Sequence, residues 1–149
     1  MLFRSEVMPT FDKKKFAKFL TDNVSPAPFG VGMCARYVRH ALAAAGVSPA
    51  TWPVAAKDWG PSLTNIGFKE FAKDGYLAVG GAFNACGTEP FVPALGDVVV
   101  MQGTSTSTHG HMAGHTGTAW VSDFVQRELW PGPGYRKEKP AYVVYRWAD

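Results

Sequence analysis

At 149 residues, with 46% hydrophobic and 18% charged side chains, the chain can bury one self-supporting core and is too apolar for disorder. A net charge of +3 with no basic run beyond Lys13, Lys14 and Lys15 excludes a nucleic-acid footprint and suits at most a loose attraction to an anionic polymer such as a cell wall. No apolar run nears the roughly 20 residues of a membrane span, so no membrane insertion is expected.

The N-terminal stretch MLFRSEVMPTFDKKK lacks the apolar segment and small-residue cleavage site of a secretory leader. Synthesis in a cytoplasm is therefore expected, with a dedicated export route for any work outside it. Thr10 is placed to cap a helix that buries Phe16, Phe19 and Leu20 and turns its lysines to water. Ser25-Pro26-Ala27-Pro28, followed by Gly30 and Gly32, forces a loop. A second helix then starts at Cys34, with Cys34, Val38, Ala41, Leu42 and Ala45 on one stripe and Gly46 as its C-terminal cap. Arg36, Arg39 and His40 fall off that stripe, toward solvent.

Residues 55–66 follow a helical pattern with Trp59, Leu63 and Ile66 inward and Gly67 as the stop. Pro61 suits a first turn, so the helix is free to begin there. Trp52 and Trp59 are both assigned to the core. The Gly-, Pro- and Ala-rich stretch 73–95 is expected to be mostly loop, with Cys86 as filler inside it. Beyond it the pattern turns to strands: 97–101 (DVVVM), then 111–114 and 119–124 flanking a turn at His115-Thr116-Gly117, and finally 141–147 (AYVVYRW). Helices first and strands after predict a single α+β domain over residues 1–149 with an antiparallel sheet.

One of two cysteines stands where a helix begins. Unpaired N–H groups and the positive end of the helix dipole stabilise an anion there, which makes Cys34 a candidate nucleophile. A free cysteine is also a common small core residue, so a base is needed to decide. A thiol nucleophile needs a histidine to take its proton and a third group to orient that histidine. His40 lies on the cysteine's own helix but on the wrong face. His111 opens a strand, and Asp123 follows twelve residues later on the returning arm of the hairpin, where paired strands bring side chains together. His115, in the turn, is an alternative base. If Asp123 points away, Ser122 or a backbone carbonyl takes its place. A rival reading takes His109, His111 and His115 as zinc ligands, but it leaves Cys34 without a role and finds no carboxylate base nearby. The rigid loop from Trp130 to Tyr135 either walls a substrate groove or caps the core.

The segments GVGMCARYVRHAL, LGDVVVM, GHMA and WVSDF, in that order, resemble the papain-like NlpC and CHAP peptidoglycan hydrolases. The chain is especially similar to small amidase effectors exported by type VI secretion systems and to related phage lytic domains. The resemblance implies a papain-like fold, N-terminal helices packed on an antiparallel sheet, and cleavage of an amide bond in the stem peptide of peptidoglycan. It assigns Cys34 as nucleophile, His111 as general base and Asp123 as its orienting residue, with backbone N–H groups at the helix start holding the oxyanion and no cofactor required. Trp130 and Tyr135 are the candidate substrate-binding residues. A toxin injected into the periplasm of rival bacteria, held in check by a cognate immunity protein, fits the absence of a leader; a phage lysin is the other route. A papain-like enzyme for a different amide and a non-catalytic wall-binding domain are the remaining alternatives.

Overall fold

The structure, a computed structural model, describes residues 10–27, 30, 32–79 and 82–147, with only the backbone described for residues 78, 79 and 82–89. Helix α1 (Lys13–Asn23) starts after Asp12, whose carboxylate accepts the Lys15 N–H at 3.0 Å. Asp12, not the expected Thr10, is the cap, because the residue just before the first helical one is best placed to reach the orphan N–H groups of the first turn. Helix α2 (Cys34–Ala44) begins at the cysteine, as its apolar stripe predicts. It ends in a Schellman closure: Gly46, at φ 98°, donates to the Ala43 carbonyl, and Val47 donates to that of Leu42.

The helix expected over residues 55–66 is divided. A single 3-10 turn (Ala56–Asp58) is followed by α3 (Gly60–Ile66), with Pro61 in its first turn. Proline lacks the N–H that a continuous helix would use there and clashes with the carbonyl four residues back. Trp59 and Leu63 are buried as expected. Trp52 is not: it is 48% exposed, with the Arg39 guanidinium 4.3 Å above its ring.

The stretch expected to be loop instead supplies sheet. Strands β1 (Phe68–Lys73), β2 (Tyr76–Val79) and β3 (Ala82–Pro90) precede β4 (Val98–Met101), β5 (His111–His115) and β6 (Trp120–Val121). A short helix, α4 (Pro133–Glu138), and strand β7 (Tyr142–Trp147) complete the order. The turn between β1 and β2 is Asp74-Gly75, both at positive φ (51° and 96°), the two-residue geometry that matches the twist of a hairpin. Composition obscured that signal, because the glycines and prolines nearby also suit a loop.

The seven strands pair antiparallel in the order β3-β2-β1-β7-β4-β5-β6. Alternation along β4 divides two cores. Val98 and Val100 face a cluster with Phe16, Leu20, Val38 and Leu42 from the helices. Val99 and Met101 face a second cluster containing Trp120, Tyr135, Tyr142 and Val144. Both faces of the central sheet are therefore covered, which is why DVVVM is uniformly apolar after its Asp. That Asp, Asp97, is fully buried and bonds Arg146 Nε and Nη2, each at 2.8 Å, fastening the start of β4 to β7.

Candidate active site

Cys34 is the first residue of α2, and α2 packs against β5. Strand β6 is two residues long and pairs with β5 only at Gly114 and His115. The segment 111–113 is thus left without a strand partner on that side, and Cys34 takes the place. Its sulfur is reached by the backbone N–H of Met112 and by those of Cys34 and Ala35 in its own first turn. These donors favour the thiolate. Burial opposes them more strongly, the Asp123 carboxylate adds to it, and the thiol is pushed up to about 11. The expected acidic cysteine is therefore, at rest, a neutral thiol. Cys34 is a free thiol, and the Cys86 side chain lies outside the described residues.

His111 lines the same cavity as Cys34, an open cleft of roughly 900 Å³ that Tyr135, Asp123 and His109 also border. It is buried, and burial holds its imidazole below the ordinary histidine range despite the opposing pull of Gln126 and Asp123. Its Nε2 lies 2.7 Å from Gln126 Oε1. The amide orientation of Gln126 is fixed independently, because its Nε2 donates to the carbonyls of both Glu128 (3.0 Å) and Leu129 (2.9 Å). Its oxygen must then face the ring, so His111 must carry its proton on Nε2 and leave the Nδ1 lone pair free. Burial and hydrogen bonding together thus give a neutral imidazole with one defined basic nitrogen.

Asp123 was expected to orient the histidine along a strand over 119–124. The structure ends that strand at Val121: the Ser122 N–H turns back to the Phe124 carbonyl, and Val121 and Val125 bridge. Continued pairing would have opposed Asp123 to Met112 and filled the ground that Cys34 occupies. The Asp123 carboxylate instead accepts the Met33 N–H at 3.0 Å, while its backbone carbonyl accepts the Ser25 N–H at 2.8 Å. A Cβ on Gly30 would sit 3.3 Å from Asp123 Oδ1, so that glycine lets the loop close on the carboxylate. Asp123 holds the approach to α2, and it reaches His111 as a nearby charge. Ser122, which a regular strand would turn to the other face from Asp123, donates to Asp123 Oδ1 at 3.3 Å, since strand alternation no longer applies at a bend.

His115 was expected in an exposed turn. It ends β5, is 7% exposed, packs edge-on against Trp120 at 4.8 Å, and accepts the Gly117 N–H at Nδ1. It does not border the cleft that holds Cys34. Among the described residues no group of three or more His, Cys, Asp or Glu side chains is placed to hold a metal ion; the spacing of His109, His111 and His115 does not become a cluster, because His109 is exposed in the preceding loop. Trp130, expected as a groove wall, packs at 5.4 Å against Tyr142 in the second core and does not border the cleft. Tyr135 does, with its ring 5.8 Å from that of His111.

The cleft walls are pinned to each other. Glu138 on α4 takes the Ser105 N–H (3.0 Å) and hydroxyl (2.6 Å), and the Lys57 N–H donates to the His109 carbonyl at 3.0 Å. Gln126 escaped sequence reasoning because nothing in SDFVQREL marks it. Only the chain reversal after Val121 brings it beneath His111.

No protein-family model matches the chain, and neither does any curated protein. Solved structures do. The chain is 38% identical to one in the type VI native effector–immunity complex Tae3–Tai3 from Ralstonia pickettii, over 93% of this chain and 100% of that one, with a TM-score of 0.75. It is 39% identical to one in the selenomethionine form of that effector–immunity complex, over 88% and 98% of the two chains, with a TM-score of 0.70.

Proposed function

The chain belongs to the Tae3 family of type VI effectors, and from that premise we propose that it is an antibacterial peptidoglycan amidase working through a cysteine nucleophile in a papain-like arrangement. One observation carries the reading: a helix-starting thiol and a histidine of defined tautomer border the same cleft. Delivery into the periplasm of a target cell gives the enzyme its substrate, an amide of the wall stem peptide. The effector–immunity pairing of the relatives supports a cognate immunity protein as partner.

The neutral resting pair shapes the chemistry. A thiol pushed up to about 11 and an imidazole held below its usual range, both bordering one cleft, favour the uncharged forms over a preformed thiolate–imidazolium pair. His111 Nδ1 therefore acts as general base during attack, taking the thiol proton as the Cys34 sulfur adds to the carbonyl carbon. The N–H groups of the first turn of α2 are available to the oxyanion. His111 then gives its proton to the departing amine, and water, activated by the same nitrogen, releases the acyl group from sulfur. Gln126 keeps the ring turned throughout, and Asp123 holds the loop from which the helix starts.

The test is digestion of purified Gram-negative sacculi by wild type and Cys34→Ala, with fragments read by mass spectrometry. New amine and carboxylate ends that vanish in the variant are expected. Intact sacculi with wild type would remove the peptidoglycan assignment, and cleavage that survives Cys34→Ala would remove the thiol mechanism.

A further inference from the structure

Arg36 is the third residue of α2, about 3 Å of helix axis beyond Cys34. It is exposed, and it borders the cleft that holds Cys34 and His111. Among the described residues around that cleft it carries the only permanent positive charge; the one carboxylate, that of Asp123, takes the Met33 N–H. Arg36 itself forms no ion pair with any described residue. Local stability does not account for a cation at this position. The first turn of a helix favours negative charge, and α2 has no acidic residue there. Neighbouring side chains add to the repulsion: burial, and then the charges of Arg39 and Arg36, lower the His40 pKa, with no described carboxylate acting against them. Arg39 is held 4.3 Å above the Trp52 ring, which leaves Arg36 as the charge at the cleft.

We propose that Arg36 is a specificity-determining residue that pairs with a free carboxylate of the substrate, on the residue at or next to the scissile amide. The inference rests on the cysteine–amide reading above and names what the cleft recognises. Stem peptides carry free carboxylates beside their amide bonds, and a guanidinium offers two parallel N–H donors that match the two carboxylate oxygens. Nucleophile and cation stand two residues apart on one helix, so α2 sets how far the recognised carboxylate can lie from the attacked carbonyl. A carboxamide in the same place keeps one acceptor oxygen and loses the charge. The contact therefore separates free-acid stems from amidated ones.

The paired substrates are muropeptides released from Gram-negative sacculi and the same muropeptides with their carboxylates converted to amides by carbodiimide and ammonia. Below saturation, wild type should cleave the free-acid form about tenfold faster, the effect of one hydrogen bond to a charged group. Arg36→Gln should bring the two forms level by slowing the free-acid form alone. Alkylation of Cys34 gives a readout independent of the natural substrate, because iodoacetate carries a carboxylate and iodoacetamide does not. At low ionic strength the iodoacetate-to-iodoacetamide rate ratio should fall roughly two- to fivefold in Arg36→Gln and hold in Arg36→Lys, which keeps the charge. The melting temperature of Arg36→Gln should hold or rise, since the side chain is exposed and opposed by the helix dipole. An unchanged ratio overturns the proposal, as does one that falls as far in Arg36→Lys. So does a free-acid preference that survives Arg36→Gln, or a loss that falls equally on both muropeptides. Failure of the peptidoglycan reading looks different: wild type then cleaves neither form while the alkylation contrast persists.

Discussion

Replacing Gln126 by alanine tests whether the residue hydrogen-bonded to His111, rather than Asp123, fixes its ring. Gln126 is 4% exposed, and its side chain makes three hydrogen bonds, to His111, Glu128 and Leu129. At about 1 kcal/mol net for each, their loss removes about 3 kcal/mol of stability. For a domain of this size that lowers the melting temperature by about 10 °C. The kinetic effect has a separate origin. Without the amide oxygen the imidazole is free to rotate and to exchange its proton between nitrogens, and misplacing a reacting group by about 1 Å costs about 10²-fold. We therefore expect kcat on purified muropeptides to fall about 100-fold, with KM little changed because Gln126 does not border the cleft. Gln126→Glu adds a second arm. A carboxylate beside the ring favours the charged imidazolium, so the acid limb of the pH–rate profile moves upward. Gln126→Ala with near-normal kcat, alongside an inactive Asp123→Asn, would refute the reasoning and return the orienting role to Asp123.

Asp123→Asn removes a charge that raises the Cys34 thiol but keeps an oxygen for the Met33 N–H; iodoacetamide alkylation at neutral pH should become faster, and a slower reaction would show that the carboxylate acts on the thiol in the opposite sense. Activity should rise with pH through a midpoint below the ordinary histidine value of 6.5, because His111 is held low by burial and only its neutral form accepts the thiol proton; a midpoint above 6.5 in the kcat profile contradicts that. Stability carries the same sign. His111 and His115 both have lowered pKa values in the folded chain, so the unfolded chain binds more protons as pH falls below 6.5 and the melting temperature should decline there. Gly114→Ala would drive a methyl against the Phe16 ring and to 2.7 Å from Leu20 Cδ1, where α1 lies on β5. Overpacking of that kind costs about 1–3 kcal/mol, and an unchanged melting temperature would mean that α1 yields freely.

The two ends of the chemistry were not equally legible in the sequence. Cys34 could be placed because a helix stripe, a glycine cap and a preceding Pro/Gly loop are local signals, and each acts through its own few residues. Strands 97–101 and 141–147 could be placed for the same reason. The stretch 73–95 failed because its β structure depends on pairing partners, and Asp74-Gly75 was the one local clue it contained. The contact of Gln126 with His111 and that of Asp123 with Met33 both follow from a single nonlocal event, the early end of β6. Pairing beyond Val121 would have cost the space for Cys34, a constraint that no hairpin pattern in the sequence expresses. Trp130 and Trp52 show the same limit for aromatic residues, whose burial is decided by what arrives opposite them.

The sheet order has a consequence for the newly made chain. Strand β7 lies between β1 and β4, although it comes after the other six in chain order. Until residues 142–147 have left the ribosome, the β4–β5 hairpin that carries His111 has one bare edge, and the β1–β3 group has no strand joining it to that hairpin. Contacts of such long sequence separation form late, after the entropy of closing the intervening chain has been met. A ribosome-bound fragment lacking β7 is thus expected to bear the thiol and the histidine without fixing them against each other. Competence then arrives only when the final strand docks.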